Sequence, residues 1–169
     1  GVEVLRTVVD SQELVAPVQR IVEYGPHNRY GGEAGAVGDG EFIWPVPGYR
    51  DQSRGFIQYG TYVYHRGLDI TAEYGTPILA ADNGIVTFAG MGTGYNWSYG
   101  NFVQIDHGNG FTTLYGHMAA VAVQQGQYVT KGTVIGYVGS TGRSSGNHCH
   151  FELEHNGALQ DPADYVSRP

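Results

Sequence analysis

Short apolar runs separated by turn residues dominate the chain from Phe42 onward. The runs are rich in β-branched and aromatic residues, and Gly, Asn and Asp lie between them, which predicts short β-strands. The hairpin signal is clearest at Gly108-Asn109-Gly110, which joins two such runs. The predicted strands are 84–89, 101–106, 112–117, 128–130, 133–138 and 148–154. Apart from a possible turn near 162–165, no segment has the period of an amphipathic helix, so the pattern predicts an all-β sandwich or barrel.

The first 41 residues differ from the rest and predict two further parts. Residues 1–25 contain strand-like runs, but two strands make only a hairpin, which is marginal alone in water. We therefore expect this part to be the C-terminal remnant of a larger β-rich module, and the chain to be a fragment. Residues 26–41 are rich in glycine and lack apolar periodicity, as a linker does. Residues 42–169 are predicted to form one β-rich domain.

Composition narrows the possible partners. Glycine provides 27 of the 169 residues, about twice the usual share of roughly 7%, in agreement with many tight turns. Nine Lys and Arg against sixteen Asp and Glu give a net charge of −7, which disfavours nucleic acid and anionic membranes as partners. No apolar run approaches the ~18 residues of a membrane-spanning helix, and a single cysteine, Cys149, excludes an internal disulfide.

Four of the seven histidines fall in three short motifs. One motif, His148-Cys149-His150, lies in a predicted strand, where residues two apart share a face about 7 Å from each other. Two imidazoles placed this way can serve one site, and Cys149 then points to the other face. The alternative is that both are ordinary surface or half-buried histidines.

The second motif is His65-Arg66-Gly67-Leu68-Asp69. An imidazole and a carboxylate, with one more imidazole, form a three-ligand set suited to catalytic zinc with an open water position. Gly67 allows the chain to bend so that His65 and Asp69 converge. The alternative is a turn with an exposed His65, in which Asp69 accepts hydrogen bonds from nearby backbone N–H groups.

The third motif, Tyr115-Gly116-His117-Met118, ends a predicted strand. A histidine at this point can orient water or stabilise negative charge, although a core or rim histidine is the alternative. Together, His65, Asp69 and one histidine of the His-x-His pair would fill three zinc positions. The other histidine of the pair and His117 would stay unligated. Because zinc lowers the pKa of bound water to about 7, a neighbouring imidazole can take its proton, so the motifs predict metal-assisted amide hydrolysis.

In this order, the motifs resemble the lysostaphin-type (LytM-like) zinc endopeptidases, which cut bacterial cell-wall peptides. Flanking segments strengthen the resemblance, which covers residues 42–165; they include Tyr74-Gly75-Thr76-Pro77, Gly100-Asn101-Phe102-Val103 and Gly139-Ser140-Thr141-Gly142. The resemblance implies an antiparallel, sandwich-like β fold, the barrel-sandwich type built as a duplicated hybrid motif, with a narrow groove along a large sheet.

The resemblance also implies a role for each motif residue. It assigns one zinc ion to His65, Asp69 and His150, the role of general base or water-orienting group to His148, and stabilisation of the oxyanion to His117. All five residues are present, which disfavours the degenerate, non-catalytic activators of the family. The sequence departs from the family pattern at residue 147, where asparagine replaces a frequent proline.

A substrate and a location follow from the same resemblance. We expect the chain to cut peptidoglycan cross-bridge or stem peptides, as a secreted or cell-wall-associated monomer that does not insert into membranes. A Gram-positive source is expected, since residues 1–25 resemble the end of the five-glycine surface domain of Gram-positive secreted proteins.

Residues outside the motifs carry further expectations. His107 and His155 are predicted to be exposed turn residues, and His27 in the linker is a candidate to reach the zinc. Arg66 and Arg143 either meet a peptide carboxylate or are solvated loop residues. The loop 90–100 is predicted to form a wall of the groove through its aromatic residues Tyr95, Trp97 and Tyr99.

Two other functions stay open at the level of sequence. A binding or activating module would keep the fold without turnover. A phosphocarrier would use paired histidines to accept phosphate, but the Asp69 carboxylate would repel a phosphoryl group unless a metal neutralised it.

Overall fold

The computed structural model describes residues 37–166. The predicted module remnant at residues 1–25, its resemblance to a surface domain, His27 and most of the predicted linker lie outside the described residues. They stay predictions.

The described part consists of β-strands with two short 3₁₀-helices, at Gly94–Tyr99 and Pro162–Asp164. The strands, in chain order, are β1 Gln52–Arg54, β2 Ile57–Tyr59, β3 Tyr62–His65, β4 Leu68–Thr71, β5 Pro77–Leu79, β6 Gly84–Met91, β7 Asn101–Asp106, β8 Phe111–Met118, β9 Ala120–Val121, β10 Tyr128–Val129, β11 Val134–Tyr137, β12 His148–His155 and β13 Ala158–Gln160. All six predicted strands are confirmed, with ends that shift by one or two residues. The unpredicted strands have two to four residues each, too few for an alternation to show.

The strands form a large sheet, a small sheet and a hairpin. The large sheet has the order β1-β4-β12-β8-β7-β6-β10, with β13 paired to β12; the small sheet is β5-β11-β9, and β2 pairs with β3. Each pairing between these strands is antiparallel. The predicted all-β, antiparallel fold is therefore confirmed.

One hydrophobic core joins the two sheets. Tyr115 and Phe151 of the large sheet belong to the same buried cluster as Ile78 and Ile135 of the small sheet. Such burial removes apolar side chains from water, the main driving force for folding. The core therefore occupies one face of the large sheet and leaves the other face free to carry a site.

Strand β12 shows how the sequence separates these two faces. Cys149, Phe151 and Leu153 are fully buried in the core, whereas the intervening His148, His150 and Glu152 line a groove on the opposite face. This is the alternation expected of a strand. The prediction that Cys149 points away from the paired histidines is confirmed.

Contacts with the domain begin a few residues before the predicted boundary at Phe42. The Gly38 N–H donates a hydrogen bond to the His107 carbonyl oxygen (2.8 Å), and the Gly40 N–H donates one to Asp82 (2.9 Å). The end of the predicted linker is thus attached to the sheet. The exact division of the chain into parts stays a prediction.

The helices of the described residues are two short 3₁₀ segments. Between residues 37 and 166, no helix has the length and apolar character of a membrane span.

Candidate metal centre

A groove of about 700 Å³ runs over the exposed face of the large sheet. Its floor comes from β4 and β12, through Asp69, His148, His150 and Glu152. Its walls come from β1, the β2–β3 hairpin, Ser98 and Tyr99, and the segment 143–147. The structure brings all five predicted site residues to this groove: His65, Asp69, His117, His148 and His150.

Three ring nitrogens surround one oxygen atom of Asp69. The distances to Asp69 Oδ1 are 2.7 Å from His150 Nδ1, 3.1 Å from His65 Nε2 and 3.6 Å from His148 Nε2. Ligand atoms of His65, Asp69 and His150 all lie within 4.8 Å of one another. This is a set of two imidazoles and one carboxylate, the donor type that zinc takes in catalytic sites.

Strand pairing and a glycine hold the three residues in place. Asp69 and His150 are direct partners across the β4–β12 pair, so their side chains share a face. His65 ends β3 and reaches the site through the tight connection to β4. A Cβ atom on Gly67 would lie 2.1 Å from the Phe151 carbonyl oxygen, so this connection packs against the β12 backbone. Glycine at this position serves a close approach between strands, in addition to the bend predicted from the sequence.

Each candidate ligand histidine is oriented by a second partner. The His65 Nδ1–H donates to the Gly55 carbonyl oxygen (2.7 Å), which leaves the Nε2 lone pair directed at Asp69. The Nε2 of His150 lies 3.0 Å from Glu152 Oε1, which leaves Nδ1 directed at Asp69. Hydrogen bonds of this kind fix the tautomer and the ring orientation of metal-binding histidines. The residues present therefore fit a zinc ion.

Glu152 links the centre to two groove residues, a role that the sequence motifs did not predict. It is buried, accepts hydrogen bonds from Arg66 Nε (3.1 and 3.2 Å) and Tyr99 OH (2.7 Å), and contacts His150. Burial by itself would raise the pKa of Glu152, but the hydrogen bond to His150 and the charge of Arg66 bring it below the ordinary value. The only signal for this carboxylate was its position two residues after His150 on the same strand face.

The charges of the centre are strongly coupled. Burial opposes ionisation of Asp69, yet the hydrogen bond from His150 and the close contact with His65 hold its pKa well below the usual range. Burial also opposes the charged form of His150, but the hydrogen bonds to Asp69 and Glu152 raise its pKa to about 9. A metal that binds His150 therefore has to displace a proton at neutral pH.

His117 and His148 stand beside this centre as a pair. Their ring centroids are 4.6 Å apart. The Nδ1–H of His117 donates to the Thr141 carbonyl oxygen and that of His148 to the Gly146 carbonyl oxygen, both at 2.8 Å. Since a carbonyl oxygen can only accept, Nε2 of each neutral ring carries the lone pair. Burial lowers the pKa of His117 to about 4.

An unusual backbone conformation brings His117 into the groove. Strand alternation would place it on the same face as Tyr115, in the core. His117 instead has φ 61°, a left-handed value that non-glycine residues rarely adopt. The following residue, Met118, then packs in the core while the His117 ring lines the groove. Such conformations concentrate at functional sites.

The remaining histidine predictions meet different outcomes. The expectation of an exposed His107 is wrong: this residue is 1% exposed and contacts Asn83 O and Thr113 Oγ1. His155 lies at the end of β12 and stacks on Phe111 with a 4.1 Å centroid distance, so it is part of a packed surface. His107 is held by hydrogen bonds to distant residues and His155 by a ring stacked from the neighbouring strand, and neither contact is visible in the local turn pattern.

The predicted groove wall at 90–100 contributes through one of its three aromatic residues. Tyr99 lines the groove and donates to Glu152. Tyr95 is fully exposed, and Trp97 is 57% exposed, outside the groove lining. Arg66 also differs from the expectation, since it pairs with Glu152 and with Glu154 at 3.3 Å.

Comparison with known proteins identifies the family. The sequence model of peptidase family M23 matches residues 63–162, which contain the five predicted site residues. The chain belongs to peptidase family M23. The resemblance to lysostaphin-type peptidases is thereby confirmed for this part of the chain.

Three similar proteins support the assignment. The DD-carboxypeptidase/endopeptidase Mpg of Neisseria meningitidis is 47% identical over 102 residues, which are 60% of this chain and 23% of Mpg. A zinc-containing peptidase from Vibrio cholerae has 29% identity and a TM-score of 0.63, over 72% of this chain and 39% of that one. The catalytic domain of lysostaphin from Staphylococcus simulans has 30% identity and a TM-score of 0.60, over 69% and 91%.

These comparisons also set the scope of the assignment. The chain spans about a quarter of the length of Mpg. Curated relatives from Neisseria, Caulobacter, Vibrio and Pseudomonas, all Gram-negative genera, match this chain. The expectation of a Gram-positive source therefore has no support from them.

Proposed function

We propose that this chain is a zinc metalloendopeptidase that hydrolyses amide bonds in peptidoglycan peptides. The observation that carries the proposal is the convergence of His65, Asp69 and His150 beside two further histidines in an open groove. Family membership supports a peptidase, and relatives such as Mpg are named for carboxypeptidase and endopeptidase activity.

The three converging residues would hold the metal. We assign His65 Nε2, one Asp69 oxygen and His150 Nδ1 as ligands, because these atoms face one another while the other ring nitrogens are bonded elsewhere. Zinc at this site supplies Lewis-acid activation of water and of the scissile carbonyl.

His148 is the proposed general base. Its Nδ1–H is fixed by the Gly146 carbonyl oxygen, so Nε2 has a lone pair and lies near the candidate metal ligands. It takes a proton from the attacking water and returns it to the amine that leaves, as general acid–base catalysis requires.

His117 is the proposed partner that stabilises the oxyanion. Its low pKa means that the resting ring is neutral and that Nε2 accepts a hydrogen bond, so it first orients the attacking water. It can donate to the oxyanion only after it gains a proton. Because the two rings lie side by side, a proton taken from water by either ring can serve the oxyanion or the leaving amine.

The proposed substrate sets the proposed location. Peptidoglycan lies outside the cytoplasmic membrane, so we place this domain on that side, as a monomer that reaches its substrate from solution. Residues 42–169 are the proposed peptidase domain, and residues 1–25 the proposed end of a preceding module.

A digestion experiment with a metal measurement tests the proposal. Purified chain is expected to contain one zinc ion and to release new peptide ends from purified peptidoglycan, identified by mass spectrometry of the muropeptides. His150→Ala is expected to lose both zinc and cleavage. A chain without zinc, with cleavage unchanged in His150→Ala, would contradict the enzyme assignment. Zinc and peptidoglycan binding without new ends would favour a binding or activating module instead.

A further inference from the structure

Positive charge concentrates at the groove although the protein is acidic. Residues 37–166 contain five Lys and Arg against eleven Asp and Glu. Three of those five cations line the groove, namely Arg54, Arg66 and Arg143. Only Asp69 and Glu152 of the acidic residues line it, and both belong to the candidate metal centre. The three arginines outnumber the two carboxylates in this lining, and an excess of one sign of charge in a groove favours ligands of the opposite sign.

Two of the three groove arginines have no protein partner. Arg66 forms ion pairs with Glu152 and Glu154. Among residues 37–166, no hydrogen-bond acceptor or carboxylate pairs with the side chains of Arg54 and Arg143, and both residues are exposed. Their guanidinium groups are therefore available to a ligand in the groove.

Strand register places Arg54 next to the candidate metal centre. Arg54 on β1 is the direct partner of Asp69 on β4, and Asp69 is the partner of His150 on β12. Residues paired in this way point to the same face, and neighbouring strands are about 4.8 Å apart. The Arg54 backbone therefore lies one strand spacing from Asp69, and its side chain lines the same groove.

Arg143 lies on the other side of the centre, in a segment that also holds the catalytic pair. Its main-chain N–H donates to the Ser98 carbonyl oxygen at 2.8 Å. The same segment supplies the Thr141 and Gly146 carbonyl oxygens that orient His117 and His148. In the sheet order β1-β4-β12-β8, the candidate ligands on β4 and β12 lie between Arg54 and the His117 end of β8.

We propose that Arg54 and Arg143 are specificity-determining residues that bind carboxylates of the substrate on the two sides of the scissile amide. The inference rests on the proposed peptidase function and deepens it: the preferred substrate is a peptide with free carboxylates rather than a neutral, glycine-like one. A guanidinium suits this task, because its planar donors match a carboxylate and its charge persists at every working pH.

Such carboxylates have two sources in a cell-wall peptide, its C-terminus and its non-terminal acidic groups. Four synthetic probes with one cross-linked peptide backbone separate them: all carboxylates free, only the C-terminal ones amidated, only the non-terminal ones amidated, and all amidated. Each is compared by kcat/KM with zinc-loaded wild type, Arg54→Gln, Arg143→Gln and the double variant. Arg50→Gln is the matched control, since Arg50 is exposed but does not line the groove.

The expected result is a loss confined to the charged probes. Each single variant should reduce kcat/KM for the fully free probe by about 3- to 10-fold, chiefly through KM, and leave the fully amidated probe unchanged. Added salt should weaken cleavage of the free probe by wild type more than that of the amidated one. Of the two partly amidated probes, the one on which a variant shows no loss lacks the carboxylate that this arginine binds, and so identifies its source.

Equal kcat/KM for free and amidated probes with wild type would overturn the inference, and so would equal losses in the Arg50 control. If zinc-loaded wild type cleaves none of the probes, the proposed function fails, and calorimetric binding of the same four probes still decides the inference. Binding that is indifferent to amidation contradicts it, whereas binding that needs free carboxylates and both arginines supports it.

Discussion

Buried histidines occupy two regions of this protein, and their surroundings differ. In the groove, the nitrogens of His65, His148 and His150 converge on one carboxylate oxygen, while each ring is held at its other nitrogen. At His107, the ring bridges Asn83 O (2.7 Å) and Thr113 Oγ1 (2.9 Å) inside the protein. Thr113 Oγ1 in turn lies 2.9 Å from Tyr115 OH, which accepts from the Ala81 N–H.

The difference teaches what separates a chemical histidine from a structural one. Burial does not, since His107 is more buried than any histidine of the groove. The distinction lies in what the second nitrogen faces: that of His65 and His150 faces Asp69 in the candidate metal centre, whereas that of His107 faces Thr113 inside the protein. Both ring nitrogens of His107 form internal hydrogen bonds. In His117 only Nδ1 does so, and Nε2 remains available in the groove. Substitution of a groove histidine should therefore lower activity, whereas substitution of His107 should lower stability.

The largest expected effect belongs to the catalytic pair. His148→Ala should lower kcat by about 10²–10⁴-fold, the usual contribution of a general acid–base group. Zinc content should stay at the wild-type level, because the three candidate ligands are intact. Steady-state cleavage of a peptidoglycan peptide, with metal analysis of the same sample, measures both quantities.

His107→Leu is the comparison variant for this experiment, since it removes an even more buried imidazole away from the groove. It should retain kcat once folded. Similar losses of kcat in the two variants would contradict the functional division between the regions.

A smaller effect, on zinc affinity, is expected at Glu152, which contacts the candidate ligand His150. Glu152→Gln keeps the side-chain size but removes the charge that His150 and Arg66 contact. Zinc affinity should fall by about 10–100-fold, the usual cost of losing an outer hydrogen-bond partner of a metal ligand. Titration of zinc into the metal-free chain in the presence of a competing chelator measures this affinity.

Glu154→Gln provides the control for Glu152, because Glu154 also meets Arg66 but no histidine ligand. Its zinc affinity should match that of wild type. An equal loss in both variants would assign the effect to Arg66 rather than to the orientation of His150.

Sequence motifs predicted which residues meet in the groove better than they predicted the surroundings of individual rings. The His-x-His spacing required one face of a strand, and β12 supplies that face with Cys149 behind it. The shared face of the two histidines and the opposite face of Cys149 both follow from local strand alternation alone. The ligand types suggested that His65 and Asp69 join one histidine of this pair, and the family resemblance selected His150; the strand pairing that places them is not local.

The missed features all depend on distant parts of the chain. Glu152 gains its role only through Arg66 and Tyr99, which are 86 and 53 residues away. His107 is buried because Asn83, 24 residues earlier, packs against it. His117 has its left-handed backbone beside Thr141, 24 residues later, whose N–H bonds the His117 carbonyl oxygen and whose carbonyl oxygen accepts from the ring. Arg54 gains its position from a three-residue strand that shows no pattern of its own.

A moderate effect on stability is expected at His107, whose hydrogen-bonded surroundings inside the protein form a closed region without access to the groove. His107→Leu leaves Asn83 O and Thr113 Oγ1 without their partner, which should lower the free energy of unfolding by about 1–3 kcal/mol per buried group. Urea denaturation of the metal-free chain measures it. His155→Leu is the control, because that ring is only half-buried and stacks on Phe111. A loss in His155→Leu as large as in His107→Leu would contradict the importance of the internal network.

The smallest effect is a pH dependence of that same contribution. Burial lowers the pKa of His107 from its ordinary value of 6.5, against the opposing hydrogen bond to Asn83. Below that value the unfolded chain takes up a proton that the folded chain resists, so stability falls as pH falls. The stability difference between wild type and His107→Gln should therefore be constant above about pH 7.5 and shrink as pH drops below 6.5. Because all other ionisable groups are the same in both chains, the difference isolates His107. A difference that grows on acidification would mean that His107 binds its proton more tightly when folded, and the closed region would then resemble the groove.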